Sequence, residues 1–202
     1  MTLTSRPAAP VSARPGRPDM LNHVAYITHD TSATVAFYTD LLGMEFVAAV
    51  MDDAIPSTGD PVPYFHSFFR MNDGSTLAFF EAPELPAPAE KTHAAYGIFQ
   101  HLALQVASRE VVDAWKEWLV GNGVDVIGPV DHKIIYSIYF YDPNGVRLEL
   151  TTVLDPTWND QGAGAHESLA EWEQVKSTAR ESGRDMVSVL AELTRERSHR
   201  RS

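Results

Sequence analysis

The chain has 202 residues, 44% of them hydrophobic, which is enough for one large domain or two small modules fused into one. It has no cysteine, which excludes disulfides, zinc ribbons and thiol nucleophiles and leaves His, Asp and Glu as the residues to hold any metal. Lys and Arg number 16 against 27 Asp and Glu, a net charge of −11 that argues against a large nucleic-acid footprint.

Residues 1–20 carry Pro10, Pro15, Pro18 and three Arg without an apolar run, so they read as a disordered leader and not as a secretory signal. No apolar stretch is long enough to span a bilayer, and the cytoplasm is the expected location. Residues 21–28 form the first predicted strand, which holds His23. Thr31 or Ser32 caps a predicted helix reaching about residue 42, with Phe37, Tyr38, Leu41 and Leu42 as its apolar stripe and Gly43 as its stop. A strand over 44–51, a loop over 52–63 and two strands over 64–71 and 75–81 follow. Asn72-Asp73-Gly74 makes the turn between the last two. A Pro-rich connector spans 82–89.

The same order of elements then recurs. Residues 99–106 are predicted as a strand holding His101. Ser108 caps a helix whose Val111, Trp115, Trp118 and Leu119 share one face, and Gly121 and Gly123 end it. A short strand over 124–127 precedes a hairpin whose turn is Asp142-Pro143-Asn144-Gly145. His23 to His101 and Gly43 to Gly121 are both separated by 78 positions, which suggests a duplicated β-α-β-β-β module. The expected organisation is a domain over 21–154, with modules 21–90 and 97–154, followed by a linker and amphipathic helical tail over 155–202. The tail has a break at Ser182-Gly183 and packs on the domain or on a second subunit.

On the return strand of the hairpin, Arg147, Glu149 and Thr151 share one face while Val146, Leu148 and Leu150 share the other. A carboxylate set between two Leu in so apolar a strand pairs, neutralises or binds a metal. If the modules pair their sheets into one cup, His23, His101 and Glu149 converge inside it. Two imidazoles and one carboxylate leave coordination positions open. That ligand set is favoured by Fe(II), with Mn(II), Ni(II) or Zn(II) as alternatives.

These residues resemble the vicinal oxygen chelate superfamily, which includes glyoxalase I, extradiol dioxygenases and bleomycin- or fosfomycin-resistance proteins. Phe37-Tyr38 with Leu41-Leu42-Gly43-Met44, and Asp142-Pro143-Asn144-Gly145 before Leu148-Glu149, carry the likeness over residues 21–153. The resemblance implies an α+β fold of two paired β-α-β-β-β modules forming a cup-shaped mixed sheet, and a homodimer. Val130-x-His132, Ile138-Tyr139, Asp142-Pro143-x-Gly145 and Glu149 are spaced as in extradiol ring-cleavage dioxygenases. That likeness implies Glu149 as a metal ligand, with Tyr139 and His132 as catalytic polar groups acting on a catechol-like substrate and O2. Ser75 stands where that family carries an acid–base His, for which His66 or His93 would have to substitute. Glu81 shares parity with Ser75, Leu77 and Phe79. By resemblance to glyoxalase I it would be a fourth ligand of an isomerase or lyase. A metal-free drug-binding resistance protein is the remaining alternative. Phe46, Phe65, Phe68, Phe79 and Tyr141 are the candidate pocket walls.

Overall fold

The computed structural model describes residues 20–83, 85–86 and 93–201; the leader expected over 1–20 lies, but for Met20, outside them. Among the described residues, eight strands form two four-stranded mixed sheets of identical topology. In the first, β1 (His23–Ile27), β4 (Thr76–Glu81), β3 (Tyr64–Arg70) and β2 (Glu45–Asp52) lie side by side in that order. In the second the order is β5 (Leu102–Gln105), β8 (Arg147–Val153), β7 (Ile135–Tyr141), β6 (Ile127–Asp131). In each sheet the first strand runs parallel to its neighbour and the others pair antiparallel. The duplication read from the two 78-residue offsets is therefore a duplication of topology. Within the chain, β1 and β5 are both edge strands of their own sheets.

One face of each sheet is covered by helix. α1 (Thr31–Ala36) is capped by Asp30, one residue before the expected cap, through Ala33 N–H donating to Asp30 Oδ1 at 2.9 Å. It continues as a π-helical turn over Phe37–Leu41. α3 (Arg109–Gly121) starts at Ser108 as expected. Tyr38, Phe69, Phe79, Leu119, Ile138, Phe140 and Leu148 form a single buried core from both modules. Polar bonds seal the same junction. Tyr38 donates to Asp142 Oδ2 at 3.0 Å, and Trp118 Nε1 donates to the Leu41 carbonyl at 2.9 Å. Asp142 also accepts from the backbone N–H of Asn144 and Val146, so the 142–145 turn both closes the hairpin and anchors the first module.

Two elements differ from expectation. Residues 94–99 form a helix, α2 (Ala94–Phe99), so β5 is short and His101 precedes it instead of lying on it. Tyr96, Ile98 and Phe99 favour a strand by propensity. The helix is held by its cap, Ala95 N–H to His93 Nδ1 at 3.1 Å, and by two side chains of the second sheet that donate to its carbonyls. These are Tyr141 to Gly97 at 3.3 Å and Arg147 to Ile98. The short strand expected over 124–127 begins only at Ile127, because pairing with β7 needs Ile127 opposite Tyr139 and Val130 opposite Ser137. Val124 and Val126 pack on the core instead.

The tail forms α4 (Gly162–Ser182) and α5 (Met186–Arg201), broken at Gly183, whose φ of 67° is the left-handed cap that ends a helix. Arg197 pairs with Glu171 at 2.8 Å, which ties the two helices together. No helix of the described residues is long and apolar enough to cross a membrane.

Candidate metal centre

The alternation of β8 sends Leu148 and Leu150 into the core and Glu149 to the opposite, open face of the second sheet. There the Glu149 carboxylate is only 2% exposed, and both of its oxygens are engaged. Oε2 lies 2.9 Å from His101 Nε2, and Oε1 accepts from the Tyr139 hydroxyl at 3.1 Å. His132 Nε2 lies 2.8 Å from the same hydroxyl. A hydroxyl has one proton, so a Tyr139 that donates to Glu149 must accept from His132, which fixes the Nε2–H tautomer of His132. Burial first, then the Glu149 charge and hydrogen bond, raise the Tyr139 pKa, so the phenol holds its proton. The Arg147 guanidinium lies 4.2 Å over the Tyr139 ring and, by donating to Ile98, steadies α2 just before His101.

His101, Glu149, Tyr139 and His132 are thus brought together. His23 is not among them. It lies on the open face of the first sheet, where its Nδ1 pairs with Asn22 Oδ1 at 2.6 Å. That bond makes Nδ1 the protonated nitrogen and leaves the Nε2 lone pair to bind. Strand register explains why the first module offers an imidazole and no carboxylate. Glu149 is paired with Ala103, two residues after His101; in the first sheet the residue paired with Ala25, two after His23, is Ala78.

Glu81 is placed away from this face. Its parity with Leu77 and Phe79 is the parity of the core, and its Oε2 accepts from the Thr31 backbone N–H at 2.7 Å at the start of α1. The glyoxalase-like fourth ligand expected there is therefore turned to the helix side of the sheet. Phe79 is buried under Tyr38, Phe46 stacks on Phe69 on that same side, and Phe65 shares their parity. Of the expected pocket walls, only Phe68 and Tyr141 keep to the open faces. Ser75 closes the turn, its hydroxyl donating to Asp73 Oδ1 at 2.6 Å, and His93 caps α2. His66 lies on the open face with His23, their ring centroids 6.4 Å apart. Burial, then the His23 charge, lower its pKa. A cavity of about 760 Å³ opens elsewhere, at the end of the first sheet beside Met51, Phe65, Glu81 and Thr31, and none of His23, His101, His132, Tyr139 or Glu149 lines it.

The donor set fits a divalent first-row ion: one imidazole nitrogen and one buried carboxylate oxygen already face each other. Among the described residues no group of three or more His, Asp or Glu could hold an ion, so these two donors stand without a third. Arg147 and α2 escaped the sequence reading. The shared parity of Arg147 and Glu149 was the signal for the first; nothing local marked the second.

A family model described as Glyoxalase/Bleomycin resistance protein/Dioxygenase superfamily matches residues 20–150. The chain belongs to that superfamily. Among curated relatives, the chain is similar to Metallothiol transferase FosB of Staphylococcus saprophyticus, 27% identical over 162 residues that cover 78% of this chain and 94% of that protein. Among solved structures it is similar to a glyoxalase/dioxygenase from Nostoc punctiforme (25% identity, TM-score 0.51, covering 72% of this chain and 99% of the other). A glyoxylase/bleomycin resistance protein/dioxygenase domain from Frankia sp. shares the fold at 15% identity and a TM-score of 0.54, covering 68% and 99%. The α+β fold that the resemblance implies is the fold observed.

Proposed function

We propose that the chain is a metal-dependent enzyme for a small substrate with two neighbouring oxygens, its ion held by His101 and Glu149 of one copy and His23 of a second. The observation that carries this reading is the buried Glu149 carboxylate shared by His101 and Tyr139. His23 lies on β1 and His101 immediately precedes β5, the edge strands of their sheets, so a second copy whose β1 comes beside β5 would supply the missing imidazole. A divalent ion bound there would polarise the paired oxygens and fix their orientation.

The residues of the chain do the rest. Tyr139, which donates its one proton to Glu149 in the structure, would turn that proton to a substrate oxygen once an ion takes the carboxylate, and its raised pKa keeps it a donor. His132 Nε2–H, behind it, stabilises negative charge and can pass a proton along the chain His132–Tyr139–Glu149. This relay, at the spacing of His132, Tyr139 and Glu149, favours ring opening of a catechol-like compound by O2 with Fe(II) as the ion. Both oxygen atoms would enter the product, with no outside reductant. The names of the curated relatives point away from oxygenation and favour a second reading, transfer of a thiol to a small electrophile at the same site with another divalent ion such as Mn(II) or Zn(II).

Metal analysis of protein prepared without air, then O2 uptake with a panel of catechols and thiol consumption with a panel of small electrophiles, separates the readings. Bound metal with O2 uptake supports the first, and bound metal with thiol consumption alone supports the second. Protein that takes up no transition metal under any preparation sinks both.

A further inference from the structure

On the open face of the first sheet, Tyr64, His66, Phe68 and Phe80 form a continuous row of rings that ends at His23. His66 and Phe80 are cross-strand partners and stack with centroids 3.5 Å apart and 17° between their planes. Phe68 leans on His66 at 4.1 Å, and Tyr64 meets Phe80 edge-on at 5.3 Å. His23 lies 5.9 Å from Phe68. Ala25 and Ala78 are paired between these rings, and their short side chains keep the floor between His23 and His66 low. Within this row the Nε2 atom of His66 is buried and has no hydrogen-bond partner. Natural structures seldom leave such an atom unpaired, and a ligand, water or ion commonly completes the bond.

We propose that this row is the platform for a planar ring of the substrate and that His66 is a positioning residue, its imidazole turning enough on binding to bring Nε2, sealed from solvent in the structure, to a polar substituent on that ring. The inference rests on His23 being a metal ligand, since that places the row beside the ion. It assigns the substrate class: an aromatic ring with vicinal oxygens at one end, in place of a small aliphatic chelator. Rings upright on a sheet offer edges and faces to a flat partner, and a branched aliphatic group leaves that surface poorly covered. The second module has no equivalent. The positions matching His66 and Phe80 are Ser137 and Thr151, whose hydroxyls bond to each other at 2.8 Å. The platform therefore comes from the copy that supplies His23.

The test uses the full chain loaded with Mn(II) and two chelators, 4-nitrocatechol and the ringless acetohydroxamate, titrated by absorbance and calorimetry. His66→Leu and Phe80→Leu each weaken 4-nitrocatechol about tenfold or more, leave acetohydroxamate within about twofold, and leave manganese content unchanged. His66→Gln, whose amide places an N–H close to the imidazole Nε2, recovers most of the lost affinity and guards against simple misfolding. Unchanged 4-nitrocatechol affinity in metal-loaded variants, or equal weakening of both chelators, overturns the proposal. Failure of the unmodified protein to bind manganese or any other transition metal removes the parent reading, and this one with it.

Discussion

Glu149 is placed by its neighbours. Leu148 and Leu150 turn into the core, so the carboxylate between them must face the other way, and it is dry there because His101, Tyr139 and Arg147 crowd it. Glu149→Gln keeps the shape and removes the charge. It is expected to lower metal content about tenfold or more, measured by elemental analysis, without loss of fold. Tyr139→Phe removes the donor to Glu149 and the acceptor of His132. Metal content stays at the level of the unmodified protein while turnover falls about 100-fold, the low end for a positioned proton donor. Tyr38 gives a pH prediction. Burial, then Asp142, raise its pKa far above the ordinary phenol, so the folded chain keeps it neutral at pH values where the unfolded chain ionises it. Its contribution is complete below about pH 10 and is lost as pH rises further. Urea midpoints compared between pH 7 and pH 10.5 fall more steeply in the unmodified protein than in Tyr38→Phe.

At the scale of elements, β6 and α2 aim the site. β6 carries the chain to His132, and Gly128 within it has φ of 109°, a conformation that side chains rarely adopt. A Cβ added there would stand 2.9 Å from the Ser137 carbonyl oxygen on β7. Gly128→Ala is expected to cost about 1–3 kcal/mol in denaturant unfolding. It is also expected to displace His132 from Tyr139, so activity falls further than stability alone explains. α2 sets His101 by a different means. Its carbonyls are pinned by Tyr141 and Arg147 from the sheet that bears Glu149, so the imidazole and the carboxylate share one support. Glu81 teaches the converse. Its parity with Leu77 and Phe79 names a face of the strand without saying whether that face is covered, and α1 lies on the face Glu81 takes.

The whole molecule places His23 on one sheet and His101 and Glu149 with the other, and the two sheets share one core and do not join edge to edge. If each ion is held across two copies, chains with His23→Ala and chains with Glu149→Ala each fail to hold metal alone. Refolded together, they regain it in mixed dimers, where one of the two sites has all three ligands intact. If each ion were held within one chain, every site in the mixture would lack a ligand and no metal would return. Elemental analysis of the mixed dimer separates the two cases.

The duplicated topology, the strand that carries Glu149, the 142–145 turn and the cap of α3 were all legible in the sequence, because each follows from local rules: alternation, turn chemistry and a hydroxyl ahead of a helix. Tertiary structure alone decided the helix before His101, the face given to Glu81 and the separation of His23 from His101 and Glu149. Those depend on which surfaces the helices cover and which edges remain open, and residues far apart in the chain set both.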